Sequence, residues 1–227
     1  DCVPIFKTVL IDDVKAANGG SAPDIAFIAV SNNTGQQMRQ LASDGARLEM
    51  VVDVTNDGQL DVKVPCGTLP GKSSEVVIVG AHHDTVYHSP GAVDDTSGTA
   101  SVLEMARQIA KIAETEGTPE RTLRFCTWGG EEEGLFGSKA YVQANGQMLA
   151  SNLRLYINLD MNHVDIDSSR GNGISMFSNN PEDLANIQAI YALYQTERAD
   201  VAERYDVRFT LLDGAQGSET GMPYNSD

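Results

Sequence analysis

The chain has 227 residues, 41% hydrophobic and 21% charged, with 32 acidic side chains against 16 Lys and Arg for a formal charge of −16. That length and apolar content fit one large domain, or one domain with part of another, and argue against wholesale disorder. The acidity argues against nucleic acid or an anionic membrane as partner, no apolar run is long enough to insert in a bilayer, and no signal-peptide pattern opens the chain.

Residues 25–30 read as a strand, 34–43 as a helix and 47–54 as a second strand. Asn56-Asp57-Gly58 signals a turn and 65–74 a Gly/Pro/Ser connection, so a boundary falls between about 55 and 72. Beyond it strands and helices alternate. Val76 to Gly80 is a continuous β-branched run, the pattern of a central strand buried on both faces. Residues 97–114 carry Val102, Ala106, Ile109 and Ala113 at helical spacing, with Thr96 or Ser97 as cap. A strand follows at 122–128, a helix at 135–145 and a strand at 153–159, ending at Asp160. A helix over 181–198, with Pro181 in its first turn, and a strand at 207–212 close the pattern. Such alternation predicts an α/β sheet with helices on both faces.

Of the three cysteines, Cys126 lies in an apolar run and reads as a buried, inert thiol. Cys2 and Cys66 are the pair open to a disulfide, which points to an oxidising compartment and a secreted or periplasmic protein.

The chemistry-bearing residues come in order and at strand ends. His82 and Asp84 follow the buried strand; two residues apart on extended backbone, their side chains point the same way. His82 can then bind metal while Asp84 holds the far ring nitrogen and fixes the tautomer. Asp94 sits in a glycine-containing turn before a helix, where each of its oxygens can take one cation. Glu131 and Glu132 follow the strand ending at Trp128, flanked by Gly129, Gly130 and Gly134. Neighbouring glutamates diverge, so one can bind metal while the other accepts a proton from water. Asp160 adds an oxygen ligand. Carboxylates with an imidazole suit zinc. His83, His88, His163, Glu133, Arg170 and Tyr224 belong to no such pattern, and Asp165 and Asp167 read as a solvated acidic loop.

Three segments, Gly80-Ala81-His82-His83-Asp84, Pro90 to Gly98 and Gly130 to Ser138, resemble the co-catalytic di-zinc aminopeptidase and glutamate carboxypeptidase family. The resemblance covers about 74–227. It implies a three-layer zinc-peptidase sheet over 61–227. Residues 1–60 weakly resemble the end of a protease-associated domain. It further implies that His82, Asp94 and Asp160 bind one zinc, and that Asp94 bridges to a second zinc also held by Glu132. Glu131 would be the general base, Asp84 the partner of His82, and the Asp94–Asp95 peptide cis. The implied activity is exopeptidase hydrolysis by metal-activated water, most simply of the aminopeptidase type. A glutamate-carboxypeptidase-like enzyme and an inactive receptor relative are the alternatives. The family's last histidine ligand has no counterpart before Asp227. The expectation is therefore a piece of a longer polypeptide, weak or inactive alone, with at most one well-held zinc and an uncovered apolar edge. Oligomeric state has no signature in the sequence.

Overall fold

The computed structural model describes residues 11–21, 28, 30–51, 53, 58, 60–87, 89–162, 172–212, 226 and 227. The chain divides into two compact units, residues 1–62 with 86–89, and residues 63–85 with 90–227.

In the first unit, α1 spans Ile11–Ala17 and α2 spans Asn32–Ser43. Ser31 caps α2, its hydroxyl accepting the Thr34 amide at 3.2 Å. That cap starts the helix two residues before the expected 34. Residues 47–51 and 53 form no strand, against expectation. Leu48 and Val51 are exposed, and no described segment pairs with this stretch to complete a ladder. Most of the strand expected at 25–30 lies outside the described residues.

The second unit is built on a four-stranded sheet ordered β1-β3-β2-β4, with β1 at Cys66–Leu69, β2 at Val76–His82, β3 at Thr122–Trp128 and β4 at Leu153–Asn158. Strands β3, β2 and β4 are parallel, and β1 runs antiparallel along β3. Helix α3, Thr96–Glu116, joins β2 to β3; helix α4, Phe136–Asn152, joins β3 to β4 across β2. The two crossovers move in opposite directions along the sheet, so a shared right hand puts their helices on opposite faces.

The pleat makes this visible in the core. Val76 and Ile78 face one side with Cys126 and Trp128, under Tyr141, Met148 and Leu149 of α4. Val79 and Ala81 face the other side with Phe125, under Val102, Met105, Ala106 and Ile109 of α3. The result is a three-layer α/β sandwich, the fold class that the resemblance implied. A smaller parallel pair, β5 at Gly173–Ser178 and β6 at Asp206–Leu211, packs with α5, Pro181–Glu197, through Tyr191 and Phe209 at 5.6 Å between ring centroids. A short α6, Ala199–Ala202, precedes β6.

Three expectations need correction here. The segment 65–74 is not all connection, because β1 forms within it on the template of β3. Its burial is slight, so pairing and not composition makes it a strand. Cys126 is not a free thiol: register places it directly opposite Cys66, with Cα atoms 4.2 Å apart, and the two form a disulfide. Cys66 is thus not paired with Cys2, which lies outside the described residues. The cap of α3 is neither Thr96 nor Ser97 but Asp95, whose carboxylate accepts the Gly98 amide at 3.0 Å.

Candidate metal centre

The three parallel strands point their carboxyl ends the same way, and the loops that leave them meet there. His82 is the last residue of β2 and is 2% exposed. Thr99 of α3 donates to its carbonyl at 2.7 Å, tying the strand end to the helix. The Asp94–Asp95 peptide is cis, as the resemblance implied. Asp160 follows β4, held in register where Leu159 N donates to Gly80 O at 2.9 Å. Gly98 allows the helix start to lie this close, since a Cβ there would run into the Leu159 carbonyl and the Asp95 carboxylate.

Around the imidazole, Nε2 lies 3.1 Å from Asp94 Oδ1, 3.8 Å from Asp160 Oδ1 and 4.0 Å from Glu131 Oε2. Two groups gather donor atoms within 4.8 Å of one another: His82 with Asp94 and Asp160, and His82 with Glu131 and Glu132. One imidazole nitrogen with carboxylate oxygens is a donor set that suits zinc. All five of these residues therefore come together, and both groups share His82. His88, His163, Asp165, Asp167, Arg170 and Tyr224 lie outside the described residues.

Asp84 is placed differently from expectation. The His82 Nδ1 contact is with the Asp84 backbone carbonyl at 3.0 Å, while its carboxylate Oδ1 stands at 3.8 Å. That carboxylate instead accepts the amides of Glu131 and Glu132, each at 3.1 Å, one on each oxygen. A carbonyl acceptor fixes the tautomer as well as a carboxylate would, so Nδ1 carries hydrogen and Nε2 faces the acidic cluster. Asp84 thereby acts as a bracket for the glutamate pair. Glu133 is an exposed loop residue, and partial burial with the neighbouring Asp84 pushes its carboxyl upward.

The electrostatics follow from crowding buried acids about one base. Burial pushes Glu131 up to about 8; the His82 charge, the next largest influence, pulls it down, and the charges of Asp227, Glu132 and Asp160 add to the rise. Burial alone would lower His82, but Asp160 and the charges of Glu131 and Asp95 outweigh it and raise the imidazole to about 10. Asp94 is nearest to the ring yet 42% exposed, and water screens its charge. Burial raises Asp160, but His82 and the Ser226 hydroxyl outweigh it and leave the carboxyl below its ordinary range.

Two supports have no motif behind them. Asp95 is wholly buried, and its Oδ1 accepts both Gly98 N and Met161 N at 3.0 Å, joining the start of α3 to the residue after Asp160. Its Oδ2 has no hydrogen-bond partner among the described residues, and burial pushes its carboxyl up to about 6. An acidic residue three before Gly98 was a capping signal that would have found this role. The second support is a relay: Trp128 Nε1 donates to Tyr156 OH at 2.9 Å, and Tyr156 OH to Asn158 Oδ1 at 3.0 Å. Asn158 Nδ2 donates to Ser226 Oγ at 2.6 Å, and Ser226 Oγ to Asp160 Oδ2 at 2.5 Å. Nothing local in the sequence announces Ser226, which is 66 positions from Asp160.

A profile of peptidase family M28 matches residues 66–210. An aminopeptidase of Pseudomonas aeruginosa is 34% identical over 185 residues, covering 78% of this chain and 33% of the relative. A probable glutamate carboxypeptidase of Arabidopsis thaliana is 42% identical over 84 residues, covering 37% of this chain and 12% of the relative. Among solved structures, a zinc aminopeptidase from Bacillus subtilis aligns at 27% identity with a TM-score of 0.47, over 69% of this chain and 37% of that one. A glutaminyl cyclase from an Acidobacteriales bacterium aligns at 15% identity with a TM-score of 0.50, over 83% and 66%, a likeness of fold alone. The chain spans about a third of the length of the aminopeptidases it matches.

Proposed function

This chain belongs to peptidase family M28, and on that premise we propose that it carries the metal-binding and base-bearing part of a zinc-dependent exopeptidase of the aminopeptidase type, acting on peptides. The observation that carries the reading is the gathering of Asp94, Glu131 and Asp160 around the buried Nε2 of His82 at the ends of the parallel strands. His82, Asp94 and Asp160, whose donor atoms gather together, would hold one zinc; the family resemblance would have Asp94 and Glu132 share in a second. Zinc, when bound, supplies the Lewis acidity that activates water near neutral pH and polarises the scissile carbonyl.

The remaining steps belong to the chain. Glu131, 6% exposed, accepts the proton of the attacking water and delivers it to the leaving amine. Asp84 holds the glutamate loop by its amides, so the base keeps its aim on the reacting atoms. Ser226 occupies one oxygen of Asp160 and leaves the other directed to the imidazole side. The Cys66–Cys126 disulfide supports a secreted or periplasmic location, where such bonds persist. No helix among the described residues is long and apolar enough to cross a membrane.

The test is Glu131→Gln in zinc-loaded protein assayed on short peptides. We expect turnover to fall roughly a hundredfold or more with zinc content unchanged; undiminished turnover would remove Glu131 as base. Absence of bound zinc in the unsubstituted protein would favour an inactive binding relative instead. The similarity to a glutamate carboxypeptidase gives a second reading, cleavage from the carboxyl end. Peptides blocked at one terminus or the other separate the two.

A further inference from the structure

The disulfide sits where the sheet is least anchored by packing. β1 is an edge strand of four residues, three of them exposed, and only Leu69 is partly covered. Its hold on the sheet is backbone pairing with β3, an exposed hydrogen bond from Arg124 Nε to Thr68 Oγ1 at 3.3 Å, and the bond from exposed Cys66 to fully buried Cys126. The crosslink closes the first residue pair of β1, not its far end.

What precedes that pair is the glutamate loop's support. The loop is closed by the Gly137 amide donating to the Gly129 carbonyl at 2.9 Å. Both closing residues press on the segment leading into β1. A Cβ at position 129 would stand 2.8 Å from the Lys63 carbonyl oxygen, and one at position 137 would stand 3.0 Å from Val64 Cγ2. Val64 also packs on the cluster of Val76, Ile78, Cys126 and Trp128. Thr127 N donates to Pro65 O at 3.0 Å, tying this segment to β3. Gly129 and Gly137 bracket Glu131 and Glu132, so the floor beneath the pair is the segment 63–65, and its fixed end is Cys66.

We propose that the Cys66–Cys126 disulfide is a positioning element for Glu131 and Glu132: it pins the entry to β1 beneath their loop and keeps the loop closed. It touches neither substrate nor metal and acts through residues 63–65. For catalysis this rests on the peptidase reading; as a statement about the loop it stands without it.

The experiment compares amide hydrogen exchange in the native chain, in Cys66→Ser and in native chain treated with a water-soluble phosphine. Cys66 is exposed, so its substitution leaves the core side chains in place. The phosphine keeps every side chain: it is oxidised to its oxide with oxygen from water, the S–S bond breaks, and both sulfurs become thiols. We expect exchange at the amides of Glu131, Glu132, Gly134, Leu135, Phe136 and Gly137 to rise about tenfold or more. The amides of Ile78 and Ile157 in β2 and β4 should be unchanged. Unchanged exchange in the loop, or an equal rise at every amide, overturns the proposal, the second because the bond would then be a general stabiliser. Zinc affinity measured on the same samples should fall in parallel. If no sample binds zinc, the peptidase reading fails while the exchange result still decides the role of the disulfide.

Discussion

Asp84 Oδ1 accepts the backbone amide of Glu131 at 3.1 Å, and Oδ2 makes the same bond to the next amide, that of Glu132. The carboxylate of the first motif thus sets the backbone of the third, 47 residues later. Its own carbonyl takes the imidazole hydrogen at 3.0 Å, so one residue orients both the histidine and the candidate base. Orientation of the glutamate pair is therefore built from charge-assisted hydrogen bonds to main chain, which resist rotation better than a lone side-chain contact.

Asp84→Asn separates the observed role from the expected one. An amide can still accept one hydrogen from an imidazole, so a residue serving only His82 would tolerate the change. A residue bracketing two amides would not, because the new NH2 faces one of the N–H groups. We expect Asp84→Asn to reduce kcat by roughly tenfold to a hundredfold, near the effect of Asp84→Ala, with a smaller change in zinc affinity. A variant with kcat within twofold of the parent would return Asp84 to the simpler role.

Asp95 gives the opposite pattern. Its Oδ1 serves two amides while Oδ2 is buried without a partner among the described residues. Asp95→Asn keeps the shared acceptor and removes a buried acid, so denaturant unfolding should show little change or a small gain at pH 7.5. Asp95→Ala leaves the buried Gly98 amide and the part-buried Met161 amide without that acceptor and should cost about 1–3 kcal/mol. Equal losses in both variants would mean that the negative charge, not the oxygen, is what the fold requires.

The candidate ligands were legible because His82 and Asp160 lie where apolar strands end and Asp94, Glu131 and Glu132 lie in the glycine-bearing loops that follow, and strands such as Val76–His82 declare themselves by composition. The same logic found β3 over its full length and α5 to within a residue. It failed for β1, whose Cys-Gly-Thr-Leu has no alternation to bury and becomes a strand only because β3 offers a ladder. The disulfide was lost with it, since Cys126 is legible as a partner only once Cys66 is placed opposite. Residues 47–53 show the converse, an alternating pattern for which no described strand supplies a partner. Asp84 was assigned the wrong acceptor because spacing fixes which side a residue points to, not which of its oxygens meets which hydrogen. Ser226 depended on tertiary placement alone.

In metal-free chain, stability should fall as pH rises. Asp95 is raised from 3.8 to about 6, Glu131 from 4.5 to about 8 and His82 from 6.5 to about 10. A group whose folded value exceeds its unfolded value stabilises fully below the unfolded value and loses that contribution as pH passes the folded one. The Asp95 and Glu131 contributions therefore drain away between about pH 4 and pH 8, and that of His82 between about 6.5 and 10. Asp160, held low, has the reverse sign and matters only in acid. Melting in the presence of a chelator should show a falling Tm from pH 5 to pH 8, and Glu131→Gln should flatten part of that slope. A slope identical in the variant would assign the effect to net charge instead.

Zinc binding should release protons for the same reason. At pH 7 the imidazole, raised to about 10, and Glu131, raised to about 8, each hold a proton that a cation beside them would expel. His82 cannot offer Nε2 to a metal otherwise, because its Nδ1 hydrogen is committed to the Asp84 carbonyl. Calorimetric titration in two buffers of different ionisation enthalpy should show roughly one to two protons released per zinc at pH 7. Apparent affinity should rise with pH toward pH 8 and lose part of that dependence in Glu131→Gln. Release of no protons would mean that His82 is already neutral in the free chain, and that the carboxylates around it are better hydrated than their burial implies.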